Sequence, residues 1–255
     1  MDKAVLFDFH NTLATCDGWL ELEIQTLPAL TIEELVRRGS LSQSECRRRG
    51  EAVARFKALR QEVRLSGIEL SAIEGTRQVL VSMGFDLPVV EVEAVVAALE
   101  EALLPEVEVV EGAGEVLAAL KGEGYRLGVV SSAGYPRFVE MSLEVLGLRS
   151  FFTAVVTSAG EGIYKSDPEL FVRAVRYLDV EPRQAVHVGD HPVYDVKSAK
   201  AAGLSAIWFS AHSERTAHLH STPWEETVRV GEGADAVVEV LSDVPQAVRL
   251  LLSRA

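Results

Sequence analysis

Six short runs rich in β-branched and aliphatic residues, each ending in small or polar side chains, constrain the fold of this chain most: "KAVLFDF" (3–9), "YRLGVVS" (125–131), "TAVVTS" (153–158), "QAVHVGD" (184–190), "SAIWFS" (205–210) and "DAVVEV" (235–240). Between the later runs lie amphipathic segments: "AGEVLAALKGEG" (113–124), "PRFVEMSLEVLGL" (136–148), "DPELFVRAVRYLDV" (167–180) and "DVKSAKAAGL" (195–204). Apolar residues in them recur at helical spacing, including the core-facing rows Leu117, Leu120 and Val139, Leu143, Leu146. Gly124, Gly147 and Gly203 mark helix ends. Strands that alternate with helices pair in parallel, so the pattern predicts an α/β protein built on a doubly wound parallel sheet.

The first run breaks the alternation. Between Leu13 and about Pro105 no segment reads as a strand; long helical patterns follow one another, such as "WLELEIQTLPALTIEELVRRG" (19–39) and "VEAVVAALEEALL" (92–104). The spacing predicts a core of residues 1–15 and 106–255 with a helical domain of residues 16–105 inserted into it. Arginines and lysines crowd residues 37–64 of the insertion and read as a solvated helix face. The stretch from His212 to Gly233 has no clear period and reads as loop with a short helix.

The formal charge of −13 argues against a general nucleic-acid binder, whose affinity rests on basic residues neutralising phosphates. No segment approaches the ~18 consecutive apolar residues of a membrane span, and Met1-Asp2-Lys3 leads straight into a strand without a signal-peptide pattern. A cytoplasmic location is the expectation. Cys16 and Cys46 are too few for a disulfide scaffold and read as free thiols.

In a doubly wound sheet ligands bind at the carboxyl ends of the strands, so the residues ending each run are the ones that matter. They are Asp8, Ser131 with Ser132, Asp190 with Asp195 beyond it, and Lys165 in "GIYKSDPELF" (162–171). Together they bring three carboxylates, one ammonium and hydroxyls to one crevice. Crowded carboxylates raise one another's pKa or recruit a cation, and an all-oxygen site suits Mg²⁺. Such a set fits phosphoryl transfer: a carboxylate attacks phosphorus, while cation, lysine and hydroxyl hold the phosphate oxygens. Backbone N–H groups of the Ser132-Ala133-Gly134 stretch, where a loop opens a helix, are further candidates for phosphate contact.

These segments resemble, in order, the four motifs of the haloacid dehalogenase (HAD) superfamily of hydrolases. "DFHNTL" (8–13) is similar to the first, "VVSS" (129–132) to the second, "YKSDPELF" (164–171) to the third and "VGDHPVYD" (188–195) to the fourth. The resemblance implies a Rossmann-like core with a C1-type helical cap. It also implies a Mg²⁺-dependent phosphatase acting on a small phosphorylated molecule through an aspartyl phosphate. Asp8 is then the nucleophile; Ser131, Ser132 and Lys165 bind phosphate. Asp8, Asp190 and the backbone carbonyl of His10 hold the metal, and Asp195 is a supporting carboxylate.

Two departures stand out. Family phosphatases usually carry a second aspartate two residues after the nucleophile, followed by glycine; here those places hold His10 and Asn11. Ser166 follows Lys165 where proline is usual. An imidazole with a pKa of ~6.5 is able to carry protons near neutrality, but beside Mg²⁺ and Lys165 it serves better as base than acid. Two alternatives follow: a 2-haloacid dehalogenase-like hydrolase, since halide departs without a proton, and a catalytically weak domain serving as a binding or regulatory module. The intact "GD" of the fourth motif favours phosphate over halide. His187 reads as a core histidine, His191 as structural or supporting, and His212, His218 and His220 as solvent-exposed. Cys16 and Trp19 read as packing near the entrance.

Overall fold

The computed structural model describes residues 2–212 and 233–253. Its strands are β1 (Ala4–Phe7), β2 (Ala14–Thr15), β3 (Glu108–Val109), β4 (Arg126–Ser131), β5 (Ala154–Thr157), β6 (Ala185–Gly189), β7 (Ser205–Phe209) and β8 (Ala236–Val238). Six form one sheet in the order β5-β4-β1-β6-β7-β8, every pairing parallel. β1 is flanked on both edges and covered on both faces, which is why it reads as an unbroken apolar run and not as an alternating one. Val5 and Phe7 face one apolar core, Ala4 and Leu6 the other. The chain winds outward from β1 through β4 to β5, then returns across β1 to β6. The strand order therefore reverses at β1, and the crevice at the carboxyl ends of β1, β4 and β6 is where such sheets bind ligands.

The expected helices form. Between β2 and β3 lie α1 (Asp17–Glu21), a π-helical turn (Leu22–Thr26), α2 (Leu27–Arg38), α3 (Gln43–Cys46), α4 (Arg49–Ser66), α5 (Ala72–Ser82) and α6 (Val89–Glu101). Ser42 with Glu45 and Ser71 with Glu74 form capping boxes that fix the starts of α3 and α5. The sheet is covered by α7 (Ala113–Gly122), α8 (Pro136–Val145), α9 (Ser158–Glu161), α10 (Glu169–Tyr177), α11 (Ser198–Ala201) and the C-terminal helix Val244–Leu252. Leu117, Leu120, Val139 and Leu143 are fully buried, as their spacing requires.

One expectation is corrected: the stretch read as free of strands begins with β2, which pairs antiparallel with β3, Ala14 opposite Val109 and Thr15 opposite Glu108. Two residues are too few to register as alternation. This ribbon brings the two ends of the helical stretch together. The apolar core on one sheet face continues into these helices without a break. Trp19 stacks on Phe138 of α8 at 4.7 Å between ring centroids, a contact worth about 0.5–1.5 kcal/mol beyond the area it buries.

The basic residues of the insertion are largely paired with neighbouring glutamates, Arg37 and Arg38 with Glu34, Arg48 and Arg55 with Glu51, and Arg49 with Glu33. Arg60 departs from the solvated-face reading: it is buried and bonds Glu69 at 2.6 Å. His218 and His220, and most of the segment read as loop with a short helix, lie outside the described residues.

Candidate active site

Asp8, the residue following β1, donates its N–H to Val188 of β6 at 2.9 Å, so the strand pairing itself sets where its carboxylate stands. Ser131 ends β4, and Asp190 follows β6 directly. Lys165 enters from the loop between α9 and α10, fully buried along its stem. The topology thus brings Asp8, His10, Ser131, Ser132, Lys165, Asp190 and Asp195 to one crevice of about 60 Å³. Trp19 and Leu20 of α1 form part of its wall.

Lys165 is the hub. Its Nζ lies 2.5 Å from Asp8 Oδ1 and 2.5 Å from Asp195 Oδ1. Burial works to lower the lysine's pKa, but the two carboxylates outweigh it and hold the ammonium charged. Asp195 sits in a second π-helical turn (Pro192–Lys197) and is fixed from three sides. Besides Lys165, His187 Nε2 bonds Oδ1 at 2.8 Å and the His191 backbone N–H donates to Oδ2 at 2.8 Å. Burial alone would raise its pKa; Lys165 and His187 reverse that and keep it below the usual carboxylate range.

Gly189 makes this arrangement possible. A Cβ there would stand 2.2 Å from Asp195 Cγ, so any side chain would displace the carboxylate.

Asp8 and Asp190 are not so compensated. Burial raises Asp8 to about 7, against the opposing pull of Lys165. Asp190 is pushed well up by burial and by the charges of Asp8 and Asp195. Asn11 donates to Asp190 Oδ2 at 3.1 Å, and Trp208 Nε1 donates to the Asp190 carbonyl at 2.7 Å. Oxygens of Asp8, Asp190 and Asp195 all lie within 4.8 Å of one another. With Lys165 as the one ammonium among them, this hard-oxygen cluster fits a divalent cation, which would favour the ionised form of all three.

His10 is held by its own turn: Nε2 is 3.3 Å from the Cys16 N–H and 3.1 Å from the Cys16 carbonyl, and the tautomer selects between them. Asn11 has φ 64°, a conformation that glycine adopts freely and that asparagine tolerates better than most residues. That accounts for asparagine where the resembling motif has glycine.

The loop after β4 corrects the expectation of backbone contacts to phosphate at Ala133 and Gly134. Ala133 N–H donates to Ser158 Oγ at 3.0 Å, and Gly134 and Tyr135 N–H groups donate to the two oxygens of Glu23 at 2.8 and 2.9 Å. Both Ala133 and Gly134 are therefore already bonded within the protein. Ser132 remains a candidate through its side chain: its Oγ is buried with no hydrogen-bond partner among the described residues, in a position lining the crevice. Burial, against the pull of its backbone donors and Arg60, raises Glu23 to about 7.

The structure refines the readings of several residues around the site. His187 is more than a core histidine, because it holds Asp195. His191 caps the Pro192–Lys197 turn, its Nδ1 accepting the N–H groups of Val193 and Tyr194 at 3.2 Å each. His212 donates from Nδ1 to the Asn11 carbonyl at 2.9 Å, where exposure to solvent was expected. Cys16 is buried, as the packing reading required. Glu23 had no detectable signal, since a π-helical turn shifts the helical phase that separates buried from exposed positions.

A model of the haloacid dehalogenase-like hydrolases matches residues 3–203. Glyceraldehyde 3-phosphate phosphatase of Pyrococcus furiosus is 36% identical over 100 residues, covering 39% of this chain and 41% of that protein. The match thus spans about two fifths of that relative's length. A 2-haloacid dehalogenase from Pseudomonas syringae pv. Tomato superposes with a TM-score of 0.66 at 22% identity, covering 100% of this chain and 99% of that one. A HAD phosphatase from Thermococcus onnurineus superposes with a TM-score of 0.61 at 24% identity, covering 96% of each chain. At these identities the two structures bear on the fold alone.

Proposed function

The chain belongs to the haloacid dehalogenase-like hydrolases, and we propose that it is a Mg²⁺-dependent phosphatase that hydrolyses a small phosphate monoester through an aspartyl phosphate on Asp8. The observation that carries this reading is the convergence of Asp8, Asp190 and Asp195 around Lys165. Three carboxylates against one ammonium demand a further cation, and a cation-loaded site receives a phosphoryl dianion. A 2-haloacid would bring its own carboxylate to the same site with Lys165 already shared between two aspartates. The phosphatase relative from Pyrococcus furiosus supports the same assignment.

In this mechanism an Asp8 carboxylate oxygen attacks phosphorus and the bond from phosphorus to the leaving oxygen breaks. Lys165 offsets charge on the phosphoryl oxygens, held in place by Asp195, while Ser131 and Ser132 offer hydroxyl donors. Water then attacks the phosphorus of the aspartyl phosphate, restoring the Asp8 carboxylate and releasing inorganic phosphate. Mg²⁺, held by Asp8, Asp190 and the His10 carbonyl, would supply charge neutralisation to the phosphoryl group. His10 stands in place of the usual carboxyl as proton carrier and serves better as base than acid, so the leaving oxygen of the first step departs with little help from a positioned proton. We assign the inserted helices, residues 16–105, as a C1-type cap over a core of residues 1–15 and 106–255. Trp19 and Leu20 are the cap residues reaching the crevice.

One feature favours the dehalogenase alternative: His10 replaces the carboxyl that would protonate an alkoxide, and halide needs no proton. A panel of phosphate esters and 2-haloacids assayed with Mg²⁺ or EDTA, with Asp8→Asn as the blank, separates the two. Phosphate release that requires Mg²⁺ and Asp8 is the expected outcome; halide release that survives EDTA would overturn it.

A further inference from the structure

The loop that carries Ser132 is held from the inserted segment. Gly134 and Tyr135 N–H groups donate to Glu23 at 2.8 and 2.9 Å, and the Gly134 carbonyl accepts the Ala72 N–H at the start of α5 at 2.8 Å. Both backbone polar groups of Gly134 are therefore bonded to the insertion. The approach is close: a Cβ on Gly134 would stand 3.3 Å from the Ala72 nitrogen. A second arm reaches the residue before. Ala133 N–H donates to Ser158 Oγ at 3.0 Å, the Ser158 hydroxyl donates to Glu69 at 2.8 Å, and Arg60 of α4 bonds Glu69 at 2.6 Å. Ser132 comes one residue earlier, its buried Oγ lining the crevice without a partner among the described residues. The hydroxyl left open toward the crevice thus sits on a backbone whose next three N–H groups are fixed, one through Ser158 and two directly, by glutamates of the inserted segment.

We infer that Glu23 is a positioning residue for phosphoryl binding: by holding Gly134 and Tyr135 it sets where the hydroxyls of Ser131 and Ser132 stand, so that seating the inserted helices and forming the phosphoryl pocket are one event. This rests on the phosphatase reading above. Peptide planarity leaves few soft torsions between Gly134 and Ser132, so a shift of the Gly134 amide is passed back to the serine. Glu23 is not among the residues lining the crevice, and Asp8 and Asp190 are placed by β1 and β6. Its loss therefore weakens the hold on phosphate and leaves the cation site as it was. Because the serine hydroxyls hold the phosphoryl group before and during its transfer alike, the loss falls on KM more than on kcat.

The test uses Glu23→Gln, which keeps the size and one acceptor but sets an amide NH₂ where the second oxygen accepted. On the alkaline side of the Glu23 titration, where both oxygens of the wild type accept, calorimetry with saturating Mg²⁺ should show inorganic phosphate bound about tenfold more weakly by the variant. KM for phenyl phosphate should rise in step, with kcat changed less and Mg²⁺ affinity unchanged. Gly134→Ala, which crowds Ala72 from the loop side, should move phosphate affinity the same way, and it decides the question if Glu23→Gln does not fold. Hydrogen exchange should quicken at Gly134 and Tyr135 in Glu23→Gln, and less at Ala133, which Ser158 holds. Unchanged phosphate affinity and KM, or an equal loss of phosphate and Mg²⁺ affinity, overturns the inference and leaves the phosphatase reading intact. If the wild type neither hydrolyses phenyl phosphate nor binds inorganic phosphate, the phosphatase reading fails. Exchange then decides whether Glu23 positions the loop: quickening confined to Gly134 and Tyr135 upholds it, and unchanged exchange overturns it.

Discussion

Asp195 lies 2.5 Å from Lys165 and 2.8 Å from His187, so the cation that faces the nucleophile is held by a carboxylate that is itself held from behind. Asp195→Asn leaves a buried ammonium with half its compensation. Breaking a buried pair costs roughly 3–5 kcal/mol, and urea unfolding at neutral pH should show a loss of that order. The pH dependence follows from the depressed pKa of Asp195: its contribution is present above the unfolded-state carboxylate pKa and is lost as pH falls toward the folded value. The gap between wild type and variant should therefore shrink on acidification below about pH 4. A gap constant down to strongly acidic pH would contradict the assignment.

Asp190 and Asp8 repel each other in the metal-free chain, and burial adds to the strain on both. Asp190→Asn should raise the melting temperature measured in EDTA. Mg²⁺ at a hundredfold excess over its Kd should stabilise wild type by about 2.7 kcal/mol and the variant by far less. An equal Mg²⁺-induced rise in both proteins would place the cation elsewhere.

His10 has Nε2 engaged with the Cys16 backbone and replaces a carboxyl acid. Loss of a positioned acid typically costs ~10²–10⁴-fold, and the loss falls on poor leaving groups. Nitrophenyl and acyl phosphates should turn over much faster than alkyl phosphates of similar affinity, and His10→Asp should raise alkyl-ester turnover selectively. Equal kcat/KM for both ester classes in the wild type would remove the role assigned to His10.

Glu23 joins the inserted helices to the loop after β4, and burial raises its pKa from 4.5 to about 7. A carboxyl raised in the folded state stabilises fully below its unfolded pKa, and that contribution disappears as pH rises through the folded value. Between about pH 4.5 and pH 7 the wild type should lose stability that Glu23→Gln keeps, a relative change of roughly 3 kcal/mol in favour of the variant at 1.4 kcal/mol per unit. Urea titrations at the two ends of that range measure it; parallel stabilities would show that Glu23 titrates normally.

The strands and the residues at their ends were legible because buried parallel strands are continuous apolar runs, and a polar residue terminating such a run stands out. Asp8, Ser131 and Asp190 were found that way, and Lys165 by its place just before a helix. What holds them was not legible. His187 lies inside a strand and looks like core; only the pairing of β6 with its neighbours and the turn that carries Asp195 reveal its bond. Glu23 is a charged residue in a helical pattern, indistinguishable by period from solvent-facing ones, and Glu69 lies in the short link between α4 and α5; each is defined by a partner more than eighty residues away. The β2–β3 ribbon was missed because two residues carry no alternation.

The central claim is that Asp8 becomes phosphorylated. Acid-quenching the chain during turnover of an activated phosphate ester with Mg²⁺, then mapping peptides by mass spectrometry, tests it most directly. One phosphoryl group should be found on the peptide carrying Asp8, dependent on Mg²⁺ and absent from Asp8→Asn. Undiminished phosphate release by Asp8→Asn, with no adduct on the wild-type peptide, would contradict it.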